Sequence, residues 1–335
     1  MKVLVTGGLG FIGNSFCRYM LAEYPDCELI NVDKVGIGAN PVNLRSIEND
    51  KRYTFLKGDI CNPQLINRVV HQVDAIVNIA AETHVDRSIS DPNLFLQNNT
   101  LGTFTVLEAI RRHNPKARFV QVSTDEVYGE ALEGSFTEDT VPKPSNPYSA
   151  SKAAADMFVL SYHKTYRLNA SITRCTNNFG PCQLPEKLIP KTIIRALRDL
   201  RLPIYGKGTN IRDWIHVADH CKAVGMVLKS GKAGEIYNIS AGNEITNIEL
   251  VKKILTYLKK PESLLTFVED RPGHDVRYSL DSKKIQAELS WKPTENFEDA
   301  LTSTVEWYLN NESWWTPFAT NAILHPTPWK LGGQH

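Results

Sequence analysis

Short apolar runs alternate with longer mixed segments through the first half of the chain. Runs at residues 2–6, 28–32, 53–57, 74–79 and 118–123 are mostly β-branched or apolar, and each predicts a strand. Between them, residues 14–23, 63–71 and 98–113 carry helical patterns. Strand, helix, strand at this interval predicts a parallel sheet covered on both faces, with right-handed crossovers. A helix at 148–166 and a strand at 170–174 continue the rhythm. Past Phe179 the texture changes, and Gly180-Pro181, Pro185 and Pro190 mark an ordered loop. Further helices are expected over 188–200, 213–228, 247–258, 281–288 and 297–309, with a late strand at 235–239.

A chain of 335 residues with 42% hydrophobic positions can bury a sizeable core without disulfides or metals. Lys plus Arg total 38 against 37 Asp plus Glu, a net charge of +1, which disfavours a nucleic-acid binder. No run of about 18 apolar residues predicts a membrane span. The opening Met1-Lys2-Val3-Leu4-Val5-Thr6-Gly7 reads as a strand entering a turn, not as a signal peptide. Six cysteines without a C-x-x-C pair fit a reduced, cytoplasmic protein.

Glycines 7, 10 and 13 follow the first strand and open a helix. In that context Gly7 permits the tight turn, Gly10 lets a pyrophosphate approach the backbone, and Gly13 lets the helix sit close to the sheet. The phosphates then lie on the helix N-terminus, beside Phe11 and Ile12. Asp33 ends the second strand, 20 residues past Gly13, where a carboxylate binds ribose hydroxyls and repels a 2′-phosphate. This favours NAD over NADP, with Lys34 beside it as a mild opposing charge. Asp59 and Ile60 follow the third strand and are expected near the adenine. The expected fold class is therefore α/β, a Rossmann-type parallel sheet with a smaller C-terminal substrate-binding lobe. The dinucleotide domain is expected over 1–178, with a segment near 214–240 returning to it and 179–335 mainly forming the lobe.

Tyr148 and Lys152 lie four apart in a helical pattern, on one helix face. A phenol is a poor base at its free pKa, and a nearby ammonium favours its phenolate. Tyr148 can then take a proton from an alcohol while the attached carbon gives up hydride. Thr124, Asp125 and Glu126 emerge at the carboxyl end of a strand, where open parallel sheets bind ligands. Two adjacent carboxyls exceed what an alcohol dehydrogenase needs. An acid and a base beside a hydride site suggest elimination of water next to a new ketone. His216 and His220, four apart with Asp219 between, lack a third metal ligand at familiar spacing and read as packing or capping residues.

These segments resemble the extended short-chain dehydrogenase/reductases, and within them the dTDP-glucose 4,6-dehydratase family. The resemblance is carried by Val5–Gly13, Ala80–Ile89, Ser123–Gly129, Tyr148–Ala153, Arg174–Pro181, Pro185–Pro190, Arg212–Trp214 and Asp270–Asp275. It implies a three-stage reaction on bound NAD. Tyr148, with Thr124, deprotonates the glucose 4-hydroxyl, Glu126 removes the C5 proton, and Asp125 protonates the departing C6 hydroxyl. The hydride then returns to C6. Lys34, Ala80, Ala81, Thr100, Tyr148, Lys152 and Asn178 would join the cofactor site. His84, Asn177, Asn178, Glu186, Lys187, Leu188, Pro203, Tyr205, Arg212, Asn247, Arg271 and His274 would surround the sugar diphosphate. A homodimer through helices near 98–113 and 148–166 is also implied.

The chain departs from the family pattern at Val35–Asn40, where Leu-Thr-Tyr-Ala-Gly-Asn is usual, and at Cys182 and Leu184, where aromatics are common. UDP-glucose as substrate, a nucleotide-sugar 4-epimerase, a UDP-glucuronate decarboxylase and a non-catalytic NAD-binding protein are the alternatives. The tail from Trp314 onward holds three tryptophans and three prolines, and is expected to strap across the domain or a partner subunit.

Overall fold

In the computed structural model, which describes residues 1–331, the first β-strand lies in the interior of a seven-stranded parallel sheet. Its strands are β1 (Lys2–Thr6), β2 (Glu28–Asp33), β3 (Tyr53–Lys57), β4 (Ala75–Asn78), β5 (Arg118–Thr124) and β6 (Ala170–Cys175), with a later strand at Ile236–Ile239. The spatial order is that later strand, then β6-β5-β4-β1-β2-β3. The order reverses beside β1, which opens a crevice beyond the strand ends.

Alternation along β1 explains the two cores. Val3 and Val5 face one side, where they join Phe16 and Met20 of α1 (Phe11–Glu23). Leu4 faces the other, with Ile66 of α2 (Pro63–Val70). Two short helices, α3 (Val85–Ser90) and α4 (Pro92–Phe95), lead through a wide π-type turn at Leu96–Leu101 into α5 (Gly102–His113). Helix α6 (Pro147–Tyr166) then adds Val159 to the Leu4 side.

The lobe contains strands β7 (Asn177–Phe179), β8 (Leu202–Tyr205) and β9 (Ile211–His216). The strand at 236–239 is β10, followed by β11 (Glu244–Thr246) and β12 (Leu265–Val268). Sheets β11-β9-β7 and β12-β8 pack against α7 (Leu188–Leu197), α9 (Asn247–Tyr257) and α11 (Phe297–Asn310). Between α7 and α9 the chain forms α8 (Val217–Ser230), which packs on α1 and so returns to the large sheet. After α9 come α10 (Lys283–Leu289), α11 and the single turn α12 (Glu312–Trp315).

The helix expected over 213–228 is corrected. Residues up to His216 are strand β9, parallel to β7 and antiparallel to β11, and the helix begins at Val217. Trp214, Ile215 and Val217 fit a helical stripe, but sheet pairing wins locally. Asp213 secures the choice, its carboxylate accepting from Ser240 Oγ at 2.6 Å and Asn243 N at 2.7 Å. The four lobe strands other than β9 were too short to read from pattern.

The tail crosses this chain's own lobe. Trp315 is buried in its core, and Trp314 Nε1 donates to Asn43 Oδ1 at 2.8 Å in the dinucleotide half. Among the described residues, no helix is long and apolar enough to cross a membrane.

Candidate active site

A single cavity runs along the carboxyl ends of β1, β2, β4, β5 and β6 and into the lobe. At its cofactor end Gly7 has φ +72°, and a Cβ there would lie 2.6 Å from Ala80 Cα. A Cβ at Gly13 would lie 2.1 Å from Gly7 O, so the helix could not approach the turn. At Gly10 the only neighbour of an added Cβ is Gly7 O, at 3.4 Å. Gly10 instead faces the cavity with Phe11 and Ile12, and α1 begins there without a side-chain cap. This cradle of uncapped amides fits a dinucleotide pyrophosphate.

Asp33 lines the same end and holds the two loops around it. Its Oδ2 accepts from Leu9 N at 3.0 Å and its Oδ1 from Val35 N at 2.8 Å. Burial raises its pKa against the pull of those amides. Each carboxylate oxygen keeps a lone pair for a ribose hydroxyl. Lys34 lines this end too, donating to Asn98 Oδ1 at 2.6 Å and lying 3.6 Å from Glu82. Asp59, Ile60, Ala80 and Ala81 also line this end. Thr100 does not line the cavity: its hydroxyl donates to Ser151 O at 3.0 Å, because the π-type turn directs it at α6. Two departures from the family pattern meet here, since a Cβ on Gly38 would lie 3.7 Å from Leu184.

The reacting groups come from β5 and α6. Thr124 ends β5 and caps a 3-10 turn over Asp125–Tyr128. Its hydroxyl accepts from Glu126 N at 3.3 Å and donates to Asp125 Oδ1 at 3.1 Å. Helix α6 starts in a capping box, with Asn146 Oδ1 accepting from Ser149 N at 2.9 Å and Pro147 in the first turn. That fixes Tyr148 at the helix start, 7% exposed and facing the cavity. Burial, then Glu126, pushes the phenol well above its ordinary pKa, while a hydrogen bond with Thr124 opposes this.

Asp125 and Glu126 are unequal acids. Burial and the neighbouring Glu126 push Asp125 well above the usual carboxylate range. Its Oδ2 is buried without a partner, a position that favours the protonated form. Burial also raises Glu126, but Arg271, Lys187 and Arg212 counter it.

Lys152 sits one turn after Tyr148, yet the cavity lining excludes it. Its Nζ donates to Val122 O at 2.7 Å. Burial lowers its pKa, and Asp156 opposes that shift. That bond ties the side chain of α6 to the end of β5.

At the lobe end, the Arg212 guanidinium sits over the Tyr278 ring, 4.3 Å from its centroid, and donates to Asp275 O at 2.9 Å. Arg271 Nη1 donates to Asp86 Oδ1 at 2.8 Å, and its Nε is buried without a partner. Burial opposes its charge, but Asp86 and Tyr278 outweigh that and raise its pKa. Asn177 Oδ1 and Asn247 Oδ1 are also buried and unpartnered. Such orphaned atoms around a cavity suit a polar ligand. Lys187 donates to Thr83 O at 2.7 Å. His84 and His274 are each brought down to about 4, in both cases chiefly by burial. Glu186, Leu188, Pro203 and Tyr205 complete this wall.

Residues 4–304 match the family model described as GDP-mannose 4,6 dehydratase. A dTDP-glucose 4,6-dehydratase of Streptomyces niveus is 47% identical over 321 residues, covering 95% of both chains. The crystal structure of DesIV (dTDP-glucose 4,6-dehydratase) from Streptomyces venezuelae has a TM-score of 0.93 at 47% identity, covering 95% of this chain and 100% of that one. The dTDP-glucose 4,6-dehydratase structure from Bacillus anthracis, in complex with NAD, gives 0.89 at 47% identity, covering 95% and 99%. The chain belongs to the dTDP-glucose 4,6-dehydratase family.

Several residues of this dehydratase-family site carried no assignment from sequence. Glu82, Asp86, Arg87, Lys191 and Trp214 all line the cavity. Glu82, Asp86 and Arg87 stand inside the Ala80–Ile89 motif, so the signal was present, but their partners are distant in sequence. His220 supports the wall indirectly, its Nδ1 lying 2.9 Å from Asn178 Oδ1. His216 packs edge-on against Phe179.

Proposed function

We propose that this chain converts dTDP-glucose to dTDP-4-keto-6-deoxyglucose and water, with the residue roles that follow. The observation that carries the proposal is the pair of adjacent carboxyls, Asp125 buried and Glu126 half-buried and of unequal acidity, beside the Tyr148 phenol. NAD, when bound, supplies the electron-pair acceptor and donor for the sugar. Gly7, Gly10, Phe11, Ile12, Gly13 and Asp33 would hold its pyrophosphate and adenosine ribose, with Asp59, Ile60, Ala80, Ala81 and Asn178 around them.

Burial holds Tyr148 as a phenol, and the positive charges of Lys152 and of bound NAD would favour the phenolate that takes the proton of the 4-hydroxyl, with Thr124 steadying the developing charge. Lys152 has three N–H donors, and the bond to Val122 leaves two for the nicotinamide ribose. Once C4 is a ketone, its neighbouring C5 proton becomes acidic. Glu126, the more readily ionised carboxyl, accepts that proton. Asp125, held protonated, gives its proton to the departing C6 hydroxyl, which leaves as water. The proton returns to C5 from Glu126 as C6 is reduced.

Arg212 and Arg271 suit the diphosphate, since a guanidinium pairs bidentately with phosphate oxygens. His84, Asn177, Glu186, Lys187, Leu188, Pro203, Tyr205, Asn247 and His274 form the rest of the sugar-nucleotide wall. A homodimer through α5 and α6 is part of this reading. It is supported by exposed Leu101, Met157, Phe158 and Tyr166 on and beside those helices. A cytoplasmic setting is supported by six free cysteines, five of them buried.

Mass spectrometry of the product from dTDP-glucose, beside UDP-glucose, tests the proposal. Loss of one water without net NADH is expected, faster with dTDP-glucose. An unchanged mass, with an altered sugar configuration, would replace the dehydratase by an epimerase.

A further inference from the structure

The family match ends at residue 304, but the chain continues as a strap behind the diphosphate wall. Three lobe side chains hold it by hydrogen bonds to its carbonyls: Lys191 Nζ donates to His325 O at 2.7 Å, Arg195 Nη1 to Leu324 O at 2.5 Å and Arg198 Nη1 to Ala319 O at 3.1 Å. The strap ends in a 3-10 turn over Pro328–Lys330 that packs against α3. There Trp329, only 8% exposed, sets its ring edge-on to Tyr205, with centroids 4.7 Å apart and planes at 77°.

Tyr205 carries the contact onward. Its hydroxyl donates to Asp86 Oδ2 at 3.1 Å, while Arg271 Nη1 donates to Oδ1 of the same carboxylate at 2.8 Å. Asp86 is thus held by one oxygen from the strap side and grips the guanidinium with the other. Tyr205, Asp86 and Arg271 line the cavity, whereas Trp329 does not.

We infer that Trp329 is a positioning residue for nucleotide-diphosphate binding, acting through Tyr205 and Asp86 on Arg271. The inference rests on the assignment of Arg271 to the diphosphate. An arginine side chain has many rotamers, and a ligand that must order it binds more weakly. Trp329 fixes the Tyr205 ring, the ring fixes the Asp86 carboxylate, and the carboxylate presents the guanidinium already aligned. Removing the indole leaves the wall intact but frees its anchor. Binding at the diphosphate should weaken, and the chemistry at Tyr148, Asp125 and Glu126 should not.

The test compares full-length wild type, Trp329→Ala and Trp329→Phe, each with NAD bound. dTDP binding is measured by calorimetry, alongside kcat and KM for dTDP-glucose. For Trp329→Ala the dTDP Kd and the KM should each rise about tenfold, equivalent to about 1.4 kcal/mol, with kcat within about twofold and NAD affinity unchanged. Trp329→Phe should restore most of the loss, because a ring again backs Tyr205. Tyr205→Phe, which keeps the ring and loses the hydroxyl, should weaken dTDP binding similarly. An unchanged Kd in Trp329→Ala overturns the inference. So does a parallel fall in kcat, NAD affinity and melting temperature that Trp329→Phe does not rescue, since that is the pattern of a merely structural role. Wild type that binds dTDP without turning over dTDP-glucose would refute the proposed reaction alone, because the binding comparison still tests the Trp329 relay.

Discussion

The guanidinium of Arg87 and the carboxylate of Glu186, 99 residues apart in sequence, meet inside the protein, Nη2 to Oε1 at 3.2 Å. On its other side Arg87 Nη1 donates to Glu82 Oε2 at 3.0 Å. All three side chains are buried, so one arginine neutralises two carboxylates that line one cavity. Burial opposes the charge of Glu186, but His84 and Arg87 outweigh it and hold its pKa below the ordinary value. Replacing Arg87 by Met should destabilise the fold by about 3–5 kcal/mol at neutral pH, because two buried charges lose their partner. Without the Arg87 charge, buried Glu186 would bind a proton more readily folded than unfolded. Urea unfolding of Arg87→Met should therefore show stability recovering as pH falls from 7 toward 5. A variant equally unstable at both pH values would count against this bridge.

Tyr148→Phe removes only the phenol oxygen from a buried ring that packs edge-on against Phe95. The fold should survive, with a melting temperature close to wild type. Turnover of dTDP-glucose should fall by about 10²–10⁴, the usual worth of a positioned acid–base group. Near-normal turnover would remove Tyr148 from proton abstraction.

Asp125→Asn keeps the shape and the contact to Thr124 but cannot deliver a carboxyl proton to a leaving hydroxyl. Single-turnover absorbance should show reduced cofactor accumulating, because oxidation at C4 proceeds while loss of the C6 hydroxyl slows. If both steps slow equally, the division between Asp125 and Glu126 is wrong.

His220 is fully buried, and burial alone brings its pKa from 6.5 to about 4. Between those values the unfolded chain takes up a proton that the folded chain refuses. Stability should therefore rise with pH across that window and be lost on acidification. The shift corresponds to a few kcal/mol, on the order of 3. Chemical denaturation between pH 7 and 4 should show His220→Gln losing less stability than wild type, with the amide replacing the ring nitrogen against Asn178. Equal acid sensitivity in the two proteins would assign the loss to other groups, with buried His84 the first to examine.

The dinucleotide half was legible because its signals are local. Val3-Leu4-Val5 must be a strand with two faces, and the glycines that follow are dictated by clashes with Ala80 and Gly7 itself. Tyr148 was legible for the same reason, since Asn146, Pro147 and Ser149 cap the helix that carries it. Local reasoning failed where an outside partner decided. Residues 213–216 read as helix until β7 and β11 paired with them on either side. Thr100 belonged to the expected cofactor set, and a π-type turn directs it to Ser151.

Sequence by itself determined the sheet, the glycine turn and the pair of carboxyls beside a tyrosine, because backbone sterics and side-chain periodicity act over a few residues. Only the tertiary structure decided how charge is distributed around them. Desolvation separates Asp125 from Glu126, and Arg87 joins Glu82 to Glu186. The strap places Trp329 behind Tyr205, Asp86 and Arg271. Electrostatic strength depends on burial and on partners brought together by folding, and neither is a property of neighbouring letters in the chain.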